Sequence, residues 1–367
     1  CVDKLRAHNT SFVLILALLC ALKLAYLPAA SSLVAILLLT AVTAPLLRAS
    51  NSMLDALALY AFPKRATFSR ARLAGDLGFG FIALSVGFAI DAAGTEDVMY
   101  LFFACMCGTL SCVWCVAMPY MSSIRPDSTQ MSAAEFRQNL VQLGTTFGSW
   151  ATLRAMFILY LIGCGIGLIV TFELVLLKDM MGSGSLLGLC KAVGSMAAIP
   201  VWWYVIQLMD LIGFKNVQLI GVACFGVRCC ILGAITDPRH ALLSELLGGA
   251  GGFPLAYASI TVFTGRVVAE DMKGTAQTLV IVVFMALGAG VSPLLGSAIA
   301  EKWGIQPMFT CFGALLMVVC ILCLIYDLVD RFIWGTYRSL EESCGWAVQP
   351  DEEQLTDDPS RCSARLS

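Results

Sequence analysis

Two full charges stand alone in neighbouring apolar runs, either side of the turn Thr236-Asp237-Pro238-Arg239: Arg228 before it and Glu245 after it. So short a turn makes the two runs antiparallel neighbours. Arg228 lies eight residues before the turn and Glu245 six after it. At 1.5 Å per residue that is roughly 12 Å and 9 Å below one membrane face. A charge at a bilayer centre costs ~2.5–3.5 kcal/mol. A guanidinium and a carboxylate at similar depth on adjacent helices therefore read as an ion pair. Gly248-Gly249-Ala250-Gly251-Gly252-Phe253-Pro254 loosens the second helix just beyond Glu245. Lys191 is about one third of the way into another run, where it can face a cavity and bind a solute.

The remaining intramembrane charges read more plainly. Glu173 with Lys178 and Asp179 falls near the end of its run and is expected to form a loop ion pair. Lys23 and Arg48 lie near run ends, where long side chains reach water. Trp202, Trp203 and Tyr204 read as packing or interface anchors rather than a stacking surface for a solute. Enzyme chemistry is disfavoured: there are two histidines, no metal-ligand spacing and no nucleophile beside a base. No cofactor and no metal is implied. Of the 16 cysteines, most lie inside apolar runs. They read as small polarisable hydrophobes rather than a disulfide framework, and Cys112-Val-Trp-Cys115 has no histidine near it.

The elements that must position these residues are membrane helices. The chain of 367 residues is 59% hydrophobic and 13% charged, with mean hydropathy +0.84; a soluble domain carries ~25% charged residues. The lipid bilayer is the first partner, and with a net charge of −2 and no basic face nucleic acid is not one. Windowed hydropathy draws ten spans, at 11–28, 31–54, 73–91, 97–118, 153–176, 184–207, 216–235, 240–264, 274–299 and 306–328. No strand alternation competes with them. With the first segment in the cytoplasm, 16 Lys and Arg fall in cytoplasmic loops and tail and only Lys178, Arg239 and Lys302 on the other side. Both ends of the sequence are thus expected in the cytoplasm; which membrane holds the protein stays open. Four organisational units are expected: 1–120, an incomplete first half of four helices; 121–152, a central cytoplasmic loop; 153–330, a six-helix half; and 331–367, an acidic tail of disordered composition.

Several stretches, in order, resemble the major facilitator superfamily, and within it the branch of lactose permease-like sugar:proton symporters and facilitator-superfamily-associated-domain proteins. Asp3-Lys4-Leu5-Arg6 is similar to the end of the signature loop between the superfamily's second and third helices. Phe68-Ser69-Arg70-Ala71-Arg72-Leu73-Ala74-Gly75 resembles the opening of the fifth helix, and Gly226-Val227-Arg228 the arginine-bearing ninth. Ser244-Glu245-Leu246-Leu247-Gly248-Gly249 with Phe253-Pro254 resembles the tenth. Gly274-Thr275-Ala276-Gln277 with Gly288, Gly290, Pro293 and Gly296 resembles the eleventh.

The resemblance implies an all-α polytopic fold with ten of twelve transmembrane helices present, the first two lying before residue 1. It implies a secondary transporter that moves a small polar solute, sugar- or nucleoside-like, by alternating access, with or without protons. Asp55 and Arg72 match the family's solute-binding acid and arginine, and Arg228 its coupling arginine, with Glu245 as its partner in coupling or gating. Two departures matter. Gly249 and Gly252 stand where the permeases carry a histidine and a glutamate, and Ala197-Ala198-Ile199-Pro200 lacks the glutamate that often precedes this proline. Facilitated diffusion therefore stays open beside symport, and a non-transporting receptor or scaffold of the same fold is the alternative.

Overall fold

The structure, a computed structural model, describes residues 8–29, 32, 34–36, 38–47, 50, 65–94, 109, 141, 144–145, 147–267 and 273–333. Within these, the secondary structure is helical. The principal elements are α1 (His8–Leu24), α2 (Tyr26–Ala29), α3 (Arg65–Ala93), α4 (Trp150–Leu168), α5 (Leu174–Asp179), α6 (Gly184–Ile212), α7 (Phe214–Ala234), α8 (Ala241–Leu247), α9 (Phe253–Val267), α10 (Lys273–Ile281), α11 (Gly290–Trp303) and α12 (Ile305–Ile333).

Among the described residues, six candidate spans are long and apolar enough to cross a membrane: Leu73–Ala93, Thr152–Asp179, Gly184–Ile212, Phe214–Ala234, Thr278–Trp303 and Ile305–Val329. Each overlaps an expected span. Leu14–Lys23 and Val34–Leu47 are shorter apolar helices, and the expected span at 97–118 lies almost wholly outside the described residues. Phe79, Phe81, Phe88, Leu294, Leu295, Ile321 and Leu322 are exposed on helix faces. An apolar exterior of this kind suits a lipid surround rather than water.

Helix ends follow local chemistry. Ser149 caps α4 by accepting from the Thr152 amide, and Ser183 caps α6 by accepting from the Leu186 amide. Gly213 and Gly304, at φ 82° and 94°, make the left-handed breaks between α6 and α7 and between α11 and α12, a geometry that glycine adopts without steric cost.

Three π-helical segments interrupt the described helices: Ile169–Glu173, Gly248–Gly252 and Val282–Ala289. Two have a visible cause. A proline offers no N–H to the carbonyl four residues back, and Pro254 and Pro293 free the carbonyls of Ala250 and Ala289. These carbonyls belong to Gly248–Gly252 and Val282–Ala289 respectively. No proline follows Ile169–Glu173 within one turn. The helix from Ala241 to Val267 is thus one unbroken run made of α8, a wide turn and α9.

α3 and α6 form the most extensive helix contact in the structure, followed by α7 with α12 and α4 with Val282–Ala289. The α3–α6 contact is antiparallel and lined by small residues. A Cβ on Gly188 would lie 2.5 Å from the Ala83 carbonyl and 3.1 Å from Leu84 Cα, and one on Gly80 would lie 2.7 Å from Ser195 Cβ. The helices meet there almost backbone to backbone.

Candidate functional site: a ring of four buried charges

Four consecutive long helical runs each send one charged side chain to the same place. Glu173 ends the wide turn after α4, Lys191 is on α6, Arg228 on α7 and Glu245 on α8. Glu173 lies six residues before the end of α5, Arg228 six before the end of α7, Lys191 seven after the start of α6 and Glu245 four after the start of α8. All four are therefore roughly 6–10 Å from the same end of the bundle.

The charges alternate around a closed ring. Lys191 Nζ donates to Glu173 Oε2 at 2.5 Å and also to Glu245 Oε1. Arg228 Nη2 lies 2.8 Å from Glu245 Oε2 and 3.4 Å from Glu173 Oε2. Each cation thus bridges both carboxylates, and the formal charge sums to zero. Glu173 is 0% exposed, and Arg228 and Glu245 are buried with it. The side chain of Lys191 is 22% exposed. Two buried polar atoms of the ring, Glu173 Oε1 and Arg228 Nε, make no hydrogen bond.

Glycines make the space. A Cβ on Gly248 would collide with the Arg228 guanidinium, its Cζ at 2.7 Å, and one on Gly194 would lie 2.8 Å from Glu245 Oε2. The glycine cluster therefore does more than loosen its helix: it lets the Arg228 side chain of α7 and the backbone of α6 at Gly194 come against it. Isolated buried charges of this kind are tolerated only when paired and hydrogen-bonded. Removing one partner from a buried pair costs about 3–5 kcal/mol, because an uncompensated charge is left behind.

The expected pairing of Arg228 with Glu245 is present, and Lys191 joins it. The reading of Glu173 as a loop partner of Lys178 is wrong. Glu173 is fully buried, whereas Lys178 and Asp179 are exposed. The reason is geometric: α5 runs on to Asp179, so Glu173 sits deep, and Lys178 is five residues on, about 140° round the helix. Asp55 lies outside the described residues. Arg72 falls within α3, one turn before Asp76.

A second set of polar contacts ties the two ends of the α3–α6 contact. At one end the Asp91 carboxylate accepts from the amides of Gly184 and Ser185, both at 2.7 Å. Asp91 thus satisfies free N–H groups at the start of α6, where the helix dipole favours an anion. At the other end Trp202 Nε1 donates to Asp76 at 2.5 Å. Sequence reasoning missed Asp76. Its signal was a lone acid inside a glycine-rich span. Trp202 is buried, while Trp203 and Tyr204 are exposed, as packing and anchoring require.

Elsewhere Arg154 and Asp327 form a two-pronged ion pair between α4 and α12, at 2.5 and 2.7 Å. The described cysteines are all free thiols. A family model described as the MFS_1 like family matches residues 2–334.

Proposed function

The chain belongs to the MFS_1 like family, and with it to the major facilitator superfamily and its all-α multi-pass membrane fold; from that premise we propose alternating-access transport of a small polar solute, sugar- or nucleoside-like, with protons as the coupled ion. Secondary transport rather than catalysis is the activity the family indicates. In this reading residues 1–120 and 153–330 are the two moving halves, both ends of the sequence are cytoplasmic, Asp55 and Arg72 bind the solute, and Arg228 with Glu245 couples.

The observation that carries the reading is the ring. Protonation of either carboxylate leaves the four charges at a net +1 in a buried place, so a proton cannot arrive without rearrangement. The α3–α6 contact supports the same reading from another side. α3 precedes the central loop and α6 follows it. Their glycine-lined faces can rock or slide, and each end carries one breakable polar tie. Opening on the Asp91 side requires that carboxylate to leave the start of α6. Opening on the other side requires Trp202 to leave Asp76.

Uptake of a solute panel into proteoliposomes, with and without a pH gradient, tests the proposal. Arg228→Ala is expected to abolish gradient-driven accumulation while leaving solute binding measurable. Uptake indifferent to the gradient removes the proton. No uptake of any solute puts the receptor or scaffold reading ahead.

A further inference from the structure

We propose that Glu173 and Glu245 form an exchangeable seat for a primary ammonium group, held by Lys191 in this conformation and by an ammonium-bearing solute in its place. The inference rests on the transport reading and narrows its solute to one carrying an amine, such as an amino sugar or a small alkylamine.

The geometry of the seat is that of an ammonium site. One nitrogen, Lys191 Nζ, bonds a carboxylate oxygen on each side. An ammonium has three N–H donors on a compact centre. Lys191 commits two of these to the ring, and Glu173 Oε1, a third acceptor, is buried there without a hydrogen bond. Arg228 is the fixed counter-charge. It is buried, it also reaches both carboxylates, and Gly248 closes against its guanidinium.

The four members are unequal in a way that singles out Lys191. It alone has a partly exposed side chain, at 22%, against 0%, 5% and 6% for Glu173, Glu245 and Arg228. Its place on α6 explains why. Gly188 meets α3, and Gly194 meets Glu245 and Gly249. Lys191 is three residues from each, about 60° round the helix from both, so it lies midway between the face on α3 and the face on the ring. A lysine there has a flexible four-carbon stem and a way out of the ring.

Charge balance then selects the visitor. Exchanging one ammonium for another leaves two carboxylates facing two cations. A neutral solute that displaced Lys191 would leave two buried carboxylates facing a single guanidinium, and an anion would be worse. A solute that also carries an oxygen-rich body gains the released Lys191 as a donor.

Chemical rescue tests this. Lys191→Ala removes the ammonium together with its stem and leaves room for a small amine. The full-length variant is expected to melt several degrees below the wild type in detergent. Ethylammonium chloride is expected to return most of that loss, whereas sodium chloride at equal ionic strength and ethanol at equal concentration are not. In Lys191→Ala/Glu245→Gln, whose ring is neutral again, ethylammonium is expected to give no shift beyond sodium chloride. A variant recoverable only with ethylammonium present counts as rescue. Equal melting in ethylammonium and sodium chloride, or a variant recovered in neither, overturns the ammonium seat. The uptake experiment fails separately: wild type that carries no solute sinks the transport reading while the rescue still reads the seat. Wild type that carries a neutral sugar and is not inhibited by ethylammonium keeps transport and removes the ammonium class.

Discussion

The charge ring and the α3–α6 contact sit side by side on α6 and are built on opposite principles. The ring is held by four full charges with little water around three of them. Its geometry is all or nothing, since each member compensates two others. The α3–α6 contact is held by close backbone approach along its length and by neutral or singly charged hydrogen bonds only at its ends. Small residues facing small residues let the two backbones approach closely without interlocking long side chains, and the two ties are at opposite ends. In the transport proposed above, one region holds the charge and the other moves. α6 belongs to both, so it is the element that would link them.

The comparison can be broken at four places. The largest effect is expected from Glu173→Ala, which leaves two cations sharing Glu245, one buried positive charge uncompensated, and should lower stability by about 3–5 kcal/mol. Chemical denaturation in detergent measures it. Adding Lys191→Met, which leaves Glu245 with Arg228, should recover much of that loss, and a double-mutant cycle reads the coupling. Additive losses would mean that the ring is not a unit. Next is Gly188→Leu, which drives a side chain into the α3 backbone. Overpacking costs about 1–3 kcal/mol, and uptake should fall further than the melting temperature does, because sliding is lost. A variant with normal uptake would show that this contact does not move.

Asp91→Asn is expected to cost about 1 kcal/mol or less, since a charged acceptor at the start of α6 becomes a neutral one. Its sharper readout is alkylation of a cysteine placed at Ser185, which should rise as that end opens more often. Smallest is Trp202→Phe. It removes one hydrogen bond worth about 0.5–1.5 kcal/mol while keeping an aromatic ring in place, and it should raise accessibility only at the Asp76 end. If Asp91→Asn and Trp202→Phe expose the same end, the two ties do not act as opposites.

Much of this was legible beforehand, and the limits are instructive. Arg228 and Glu245 announced themselves because each is a lone charge in an apolar run and a short turn fixes their relative depth. Lys191 was legible as a deep charge, although its partners were not. Glu173 was misread because the span was cut short and Lys178 stood close in sequence. Spacing was the better guide: five residues do not share a helix face. The wide turn Ile169–Glu173 adds a second obstacle, since a 3.6-residue period counted through it slips by one residue. The role of Asp91 was not legible, because its partners are backbone amides of a helix some ninety residues later, and amides leave no mark in a sequence. The family resemblance supplied the fold and the place of Arg228, but it did not supply Glu173 or the ties on α3.

The turn Gly248–Gly252 has a consequence for how this chain tolerates deletion. A π turn holds one residue more than the α-helix on either side of it needs. Removing Ala250, which is exposed and lies in the middle of that turn, takes out the extra residue and keeps α8 and α9 in phase, with Pro254 still leaving one carbonyl of the turn unbonded. Glu245 stays against Arg228. The same loss of one residue between Arg228 and Ala234 in α7 turns Arg228 by about 100° and empties the ring of its guanidinium. Two codons less than thirty apart in the gene thus differ completely in what their loss does, and the difference is set by helix geometry alone.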